Sequence, residues 1–423
     1  MVRSRPAAIL LTIMLTVAAC MNSSQRGVEV FTWWTTPDDK LALDALAQVF
    51  DEQHSDYTFV NSVVAGGSGV TARDVLSSRI RSGQPPDTFQ AHAGMELADF
   101  AKAGQIADIR DLYAENGWDR IFPAKLLELI TLDGKIYSVP SNVHRANLIW
   151  ANTEVIRKAG LDPSTPPQGM SEWFAALDRI KAAGFVPLAV GKSWTQVHLL
   201  ETVLLAHLGA AAYTGLFDGR TDWAGPQVQA AVQDYATLLS YANPDRDTLE
   251  ANDQTQLVID GKAAYTVMGD WAEPIFTRQK QLLDVTYTVG PVPGTEGIFD
   301  FLADSFALLV GAKNRDGARA WLLTVASAEG QLALSRAKGS IPARVDIDPS
   351  GFGPYQRRAL DDYTRSEVVP SLAHGTATSV TWLADVTAAV AAFSRNNDVV
   401  ALRAALIAAA TRGAALRPAA GGR

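Results

Sequence analysis

Strand and helix patterns alternate along the first quarter of the chain. Strand patterns, with alternating apolar and polar positions, occupy residues 28–33, 57–64 and 88–90. Apolar residues at helical spacing follow each strand, in residues 41–50, 70–80 and 94–102. This succession is typical of a parallel sheet covered by helices. The pattern therefore predicts that the fold begins with an α/β unit, starting at about Gly27.

The later part of the chain changes from helices back to strands. A proline-rich loop at residues 161–169 precedes a predicted helix at 171–183, and helical patterns dominate residues 194–259. Strand patterns return in residues 263–268, 285–289 and 301–310. The last predicted helix spans residues 398–410, with Asn397 or Asp398 as its N-cap. Because strands return after the helices, the chain is predicted to pass more than once between two lobes.

The N-terminal segment is typical of an exported lipoprotein. Arg3 and Arg5 precede an apolar run at residues 7–19, and a small-residue cleavage site ends at Cys20. A membrane-spanning anchor is the alternative, but it requires about 20 apolar residues. We therefore expect a signal peptide at residues 1–19 and a lipidated tether at residues 20–26. The protein would lie outside the cytoplasm, on the cell envelope, held by a lipid at Cys20.

Length and charge narrow the class of partner. Cleavage before Cys20 would remove two of the 37 basic residues and none of the 45 acidic ones, which changes the net charge from −8 to −10. An acidic chain without a Lys/Arg block repels phosphate backbones, which argues against a nucleic-acid partner. About 400 residues also exceed what one hydrophobic core usually organises. Cys20 is the single cysteine, so an intramolecular disulfide is excluded.

Motifs for catalysis and cofactor binding are absent from the sequence. It contains no H-E-x-x-H, no paired C-x-x-C, no Walker loop and no G-x-S-x-G. The six histidines lack the spacing of a zinc site. The glycine-rich residues 66–69 could present amide groups to an anion, but a flexible loop that caps a helix is the simpler interpretation. We therefore expect no catalytic residue, no metal and no cofactor.

Tryptophans at the ends of predicted elements are the main candidates for ligand contact. Trp33 and Trp34 end the first strand and point to opposite faces, whereas Trp194 and Trp271 follow polar loops. An indole face matches the C–H face of a sugar ring, although each tryptophan alone is more typical of a core. Polar residues near strand ends and loops complete a plausible polyol site: Asp39, Gln90, His92, Asp304, Lys338 and His374.

Seven short segments carry a resemblance to a known family. In chain order they are FTWW (31–34), DTFQAHAG (87–94), VPSNVHR (139–145), MGDWA (268–272), DSF (304–306), KGSIPAR (338–344) and PSLAHG (370–375). Together they resemble the carbohydrate-binding lipoproteins of ABC transporters, in the family that includes maltose-binding protein, and most closely its glucose/mannose-binding branch. Each segment is weak alone, but the ordered set covers nearly the whole mature chain.

The resemblance implies a two-lobed periplasmic-binding-protein fold, with two α/β lobes joined by a multi-strand hinge and the ligand in the cleft. We place lobe 1 at residues 27–138 and 303–340, lobe 2 at 139–302 and 341–410, and a frayed tail at 411–423. It further implies ligand-binding roles for the residues that match the branch: Trp33, Trp34, Asp39, Gln90, His92, Trp194, Trp271, Asp304, Lys338 and His374. The branch usually has Glu where this chain has Asp39, so Asp38 or Asp39 is the partner.

These expectations describe a monomeric binding protein for an ABC sugar importer. Closure of the lobes would expel water, discriminate between epimers and create a shape that a membrane permease recognises. The expected ligand is a monosaccharide, with glucose first and mannose or galactose as alternatives. A secreted glycoside hydrolase and a binder of oligosaccharides are the rival interpretations, because clefts lined by tryptophan and carboxylates serve both.

Overall fold

The structure is a computed structural model that describes residues 26–65 and 70–415. The predicted signal peptide, Cys20 and the glycine-rich loop at 66–69 lie outside the described residues, as do residues 416–423. Within the described residues there are fourteen β-strands. They are β1 (Arg26–Thr32), β2 (Tyr57–Val63), β3 (Thr88–His92), β4 (Thr131–Leu132), β5 (Lys135–Ile136), β6 (Ser138–Pro140), β7 (His144–Arg145), β8 (Leu148–Asn152), β9 (Val186–Ala189), β10 (Ala263–Val267), β11 (Tyr287–Pro291), β12 (Ile298–Leu302), β13 (Asp304–Leu308) and β14 (Glu367–Pro370).

The same described residues form sixteen α-helices, most of which lie between the strands. They are α1 (Pro37–Gln53), α2 (Val70–Arg81), α3 (Met95–Lys102), α4 (Arg110–Asn116), α5 (Ala124–Leu129), α6 (Thr153–Lys158), α7 (Met170–Ala182), α8 (Ser193–Asp218), α9 (Pro226–Leu239), α10 (Ala251–Ile259), α11 (Glu273–Arg278), α12 (Arg315–Ala326), α13 (Ala328–Lys338), α14 (Pro354–Arg365), α15 (Val380–Asn396) and α16 (Val399–Ala415).

The first lobe is built on a five-stranded sheet in the order β2-β1-β3-β13-β6. Strands β1, β2 and β3 run parallel, as the alternating strands and helices predicted, whereas β13 and β6 are antiparallel to their neighbours. Phe31, Phe89, Phe306 and Trp321 are at most 1% exposed and belong to its core. Parallel strands end at one edge of a sheet, so Trp33 and His92 come to the same edge.

The second lobe is built on a four-stranded sheet in the order β11-β8-β10-β9. Helix α8 supplies much of its helical layer, and Leu200, Tyr213 and Tyr235 are fully buried there. By length and composition α8 could cross a membrane, but 61% of its most apolar window is buried inside the protein, which is typical of a core helix. The helix is also interrupted at Gly209, where φ is 68°.

Strands that continue from one sheet into another connect the lobes. Ala303 alone separates β12, which belongs to a small three-stranded sheet with β7 and β14, from β13 of the first lobe. Residues 141–143 likewise connect β6 to β7. These crossings confirm that the chain passes between the lobes more than once. The exact lobe limits stay a prediction.

Several predicted elements have different limits in the structure. Arg26, placed in the tether, already pairs with Tyr57 as the first residue of β1. The single strand predicted at 301–310 is wrong, because the crossing at Ala303 divides β12 from β13. The predicted tail from residue 411 is wrong at its start, since α16 continues to Ala415. Of the two proposed N-caps, Asp398 accepts from the Ala401 amide at 2.9 Å.

Candidate functional site

Seven of the ten predicted site residues, which lie far apart in the chain, form one group of contacting side chains: Trp33, Gln90, His92, Trp194, Trp271, Asp304 and His374. The other three, Trp34, Asp39 and Lys338, contact one another. Local structure places them there. Thr36 caps α1 by accepting from the Asp39 amide, which fixes Asp39 in the first turn. Gly339 ends α13 with φ 78°, and a Cβ there would lie 2.8 Å from the Asp270 carbonyl oxygen. This glycine therefore allows Lys338 to be the last helical residue.

An aromatic group forms one part of the site. The Trp33 and His92 ring centroids lie 4.9 Å apart, and His374 lies 5.9 Å from His92 and 5.1 Å from Trp271. Trp194 completes the group at 6.4 Å from Trp271. Because aromatic faces lie beside imidazole nitrogens here, the group can contact an apolar ring face and a polar rim together.

Asp304 is the polar centre of the site. Its Oδ1 accepts from Gln90 Nε2 at 2.8 Å, and His92 Nε2 lies 3.8 Å from the same oxygen. Antiparallel pairing of β3 with β13 places Asp304 directly opposite His92. Burial would raise the pKa of Asp304, but hydrogen bonding to His144 and nearby positive charge lower it below its ordinary value. Asp304 is therefore held ionised as an acceptor of hydrogen bonds.

His144 and Asp270 belong to this network but were missing from the predicted site. His144 Nε2 lies 3.2 Å from Asp304 Oδ2, and its Nδ1 bonds to Asp270, which also accepts from the Arg145 amide at 3.0 Å. Burial would lower the pKa of His144, but the two carboxylates outweigh burial and raise it to about 9. His144 lies in the segment 139–145 and Asp270 in the segment 268–272, both of which carry the family resemblance. An ionisable side chain inside such a segment was the sequence signal that could have identified them.

Lys338 contacts both Trp34 and Asp39. Its ammonium group pairs with Asp39 and lies 4.8 Å above the Trp34 ring. Trp34 is only 3% exposed and packs edge-on against Phe306, so it lies in the core while Trp33 stays half-buried in the cleft. The two indoles therefore point to opposite faces at the end of β1, one into the core and one into the cleft, as the sequence predicted.

Asp38 has a different environment from Asp39. It pairs with Arg278 of α11 and accepts from Asn252 of α10 at 3.4 Å, so it connects the two lobes. Its side chain is 8% exposed. Of the two acids left open by the sequence, Asp39 therefore lies with Lys338 at the site, while Asp38 lies in a contact between the lobes.

A second contact between the lobes lies on the other side of the aromatic group. The amides of Met95 and Glu96 donate to the carbonyls of Thr376 and Gly375 at 3.2 and 3.0 Å. The Glu96 carboxylate in turn binds His92 Nδ1 at 3.0 Å and Arg73 at 2.9 Å. The start of α3 in the first lobe is thus hydrogen-bonded to residues 375–376 in the second lobe. This arrangement is expected for closed lobes.

The chemistry of the site favours binding over hydrolysis. A glycosidase needs a protonated carboxyl as its general acid, whereas Asp304 is held ionised and Asp39 is paired with Lys338. Among the described residues there is also no group of three His, Cys, Asp or Glu that could hold a metal ion. The site combines acceptors, donors and aromatic faces.

Comparison with known proteins agrees with this architecture. The sequence profile of the bacterial extracellular solute-binding protein family matches residues 33–332. An uncharacterized ABC transporter extracellular-binding protein of Pyrococcus horikoshii is 32% identical over 405 residues, covering 92% of this chain and 91% of the relative. A probable sugar-binding periplasmic protein of Rhizobium meliloti is 30% identical over 369 residues, covering 85% and 87%.

Among solved structures, a chitin oligosaccharide binding protein superposes with a TM-score of 0.81 at 20% sequence identity. The match covers 92% of this chain and 99% of that protein. The likeness confirms the predicted two-lobed α/β fold.

Proposed function

This chain belongs to the family of bacterial extracellular solute-binding proteins, and from that membership we propose that it is the substrate-binding component of an ABC sugar importer. It captures a monosaccharide, glucose first with mannose or galactose as alternatives, and delivers it to a membrane permease as a monomer. The convergence of seven of the ten predicted residues on one group of side chains from both lobes carries this proposal. The name of the Rhizobium meliloti relative as a sugar-binding protein supports it.

Each part of the site has a role in the proposal. Trp33, Trp194 and Trp271 contact the apolar faces of the sugar ring, and Trp34 supports Lys338 from the core. The remaining site residues pair with hydroxyl groups: Asp39, Gln90, His92, Asp304, Lys338 and His374. Since Asp304 and Asp39 are acceptors and Lys338 is a donor, a hydroxyl pattern of the wrong epimer would leave buried groups unpaired.

The rings of the aromatic group lie in direct contact with one another. Ring centroids in the aromatic group are 4.9–6.4 Å apart in neighbouring pairs. Contacts between the lobes flank the group, through Asp38 on one side and Gly375 on the other. A binder of oligosaccharides is the second candidate, because the superposing solved structure is a chitin oligosaccharide binding protein.

Location is also part of the proposal. The N-terminal pattern ending at Cys20 supports lipid attachment to the cell envelope. A lipid anchor would keep the protein close to its permease, since a short tether raises the local concentration.

Titration calorimetry of the mature protein against glucose, mannose, galactose and maltose tests the ligand. We expect micromolar or tighter binding of one monosaccharide. Binding of maltose alone would favour the oligosaccharide candidate, and release of reducing sugar from an oligosaccharide would contradict a binding role.

A further inference from the structure

His198 lies beside the predicted site but was not among its residues. It is fully buried on α8, and its Nε2 donates to the Ala146 carbonyl oxygen at 2.8 Å. Within the part of the chain that the structure describes, its Nδ1 has no hydrogen-bond partner. Because Nε2 carries the proton in this arrangement, Nδ1 presents a free lone pair.

His374 also has one ring nitrogen, Nε2, without a hydrogen-bond partner among the described residues. Its Nδ1 lies 2.8 Å from Ser371 Oγ, and that hydroxyl lies 3.1 Å from both carboxylate oxygens of Glu201. When Glu201 is ionised, Ser371 donates to the carboxylate and accepts from His374, which places the imidazole proton on Nδ1. Burial raises the pKa of Glu201 to about 7, so this arrangement belongs to the protein above that pH. His374 Nε2, in a side chain that is 3% exposed, is then an acceptor with no partner among the described residues.

The two imidazoles contact each other and the same pair of indoles. Their ring centroids are 5.3 Å apart, and Trp271 lies 5.8 Å from His198 and 5.1 Å from His374. Trp194 lies within 6.4 Å of both rings. Burial lowers the pKa of His198 to about 4 and lowers the pKa of His374 well below its ordinary value, so both rings are neutral near pH 7.

We infer that His198 is a further ligand-contacting residue and that, with His374, it forms a wall that accepts hydrogen bonds from ligand hydroxyls. This inference rests on the proposed sugar-binding function and narrows its ligand class. A buried acceptor without a partner is costly, and a sugar hydroxyl is a donor that satisfies it. The oxygens of a carboxylate or phosphate group are acceptors, so they would be repelled by the lone pairs of His198 Nδ1 and His374 Nε2. The wall therefore selects neutral sugars over sugar acids and sugar phosphates.

Variants of His198 test the inference. The sugar of the panel that the wild-type protein binds most tightly is the probe. His198→Phe keeps an aromatic ring and removes the acceptor, and we expect about tenfold weaker binding. His198→Gln keeps both a donor for Ala146 and an acceptor, so its affinity stays within about threefold of the wild type. His207→Phe is the matched control on the same helix. His207 does not belong to the site, and its Nε2 lies 2.9 Å from Asp234 Oδ2.

Monodeoxy derivatives of the same sugar identify the contact even if the phenylalanine variant is unstable. One derivative should bind the wild-type protein about tenfold more weakly than the parent sugar, and His198→Phe should not distinguish the two. If that variant melts below the assay temperature, His198→Leu, which also lacks the acceptor, replaces it and should likewise not distinguish the two sugars.

Two results would overturn the inference alone. One is an unchanged affinity of a folded variant without the acceptor, His198→Phe or His198→Leu. The other is binding of glucose 6-phosphate or glucuronate by the wild-type protein as tightly as glucose. If the wild-type protein binds no sugar of the panel, the proposed function fails and this inference fails with it.

Discussion

The ion pair between Lys338 and Asp39 allows a quantitative test of how the site is held together. We consider Lys338→Met, which keeps the apolar stem over Trp34 and removes the ammonium group. Lys338 is 6% exposed, and the Asp39 side chain is 18% exposed. The variant therefore leaves a largely buried carboxylate without its counter-charge.

The expected magnitude follows from this burial. Two unit charges about 4 Å apart interact by about 4 kcal/mol at an effective dielectric constant of about 20. Desolvation of both groups offsets part of that attraction. A charge-assisted hydrogen bond contributes about 1.5–3 kcal/mol net. We therefore expect Lys338→Met to lower the free energy of unfolding of the unliganded protein by about 2–3 kcal/mol.

A double-mutant cycle with Asp39→Asn isolates the interaction from other effects of each substitution. Urea unfolding of the wild type, both single variants and the double variant gives the coupling energy, which we expect to be about 1.5–3 kcal/mol. Lys262 and Asp260 are the control pair, at 2.9 Å, because their side chains are 65% and 34% exposed. Their coupling should be about 0.5 kcal/mol.

Equal coupling energies for the two pairs would refute this reasoning. It would mean that burial of Lys338 does not strengthen its interaction with Asp39. A double variant less stable than the sum of the single effects would also contradict it, since the second substitution removes the uncompensated charge.

Three other perturbations give distinct expected outcomes. Trp271→Ala should weaken sugar binding by about 1–3 kcal/mol in calorimetry, with the melting temperature of the unliganded protein nearly unchanged. Asp38→Asn removes the ion pair with Arg278, so it should weaken binding by about 1 kcal/mol and increase the radius of gyration in small-angle X-ray scattering. His144 has a raised pKa of about 9, so its stabilising effect, about 3 kcal/mol, is present below pH 6.5 and lost as pH rises through 9. His144→Gln should flatten the unfolding free energy over that range.

Each of these outcomes has a contrary result. A collapsed fold in the Trp271 variant would show that the indole is a core residue. Unchanged scattering of the Asp38 variant would show that its ion pair does not hold the lobes together. Equal pH dependence of the wild type and the His144 variant would mean that this histidine is not held protonated by its two carboxylates.

Local patterns predicted much of the first lobe. The helical spacing in α1 reflects one buried face, and the structure shows that face buried. In β1 the alternation holds for Val28, Glu29 and Val30, whereas Phe31 and Thr32 bury both faces of the strand end. The predicted ends of strands and helices were less accurate where a tertiary contact determines them. The crossing at Ala303 has no local signal, because β12 and β13 are buried at every position and no glycine or proline separates them.

The candidate site was predictable in part for a similar reason. Tryptophans at strand ends and charged residues in apolar surroundings are visible in the sequence. His198 was not singled out, because a lone histidine on an apolar helix is usually a satisfied core residue. Its free nitrogen depends on the distant carbonyl of Ala146. The charge of His144 likewise depends on Asp270, which lies 126 positions away in the sequence.

A crystal structure of the mature protein grown with D-glucose would show directly where the sugar binds. We expect one hexose between the lobes, in contact with Trp33, Trp271 and Asp304. A cavity of about 780 Å³, lined in part by Asp99 and Trp382, offers a competing location. Sugar density in that cavity, with the predicted site residues contacting only one another, would contradict the account.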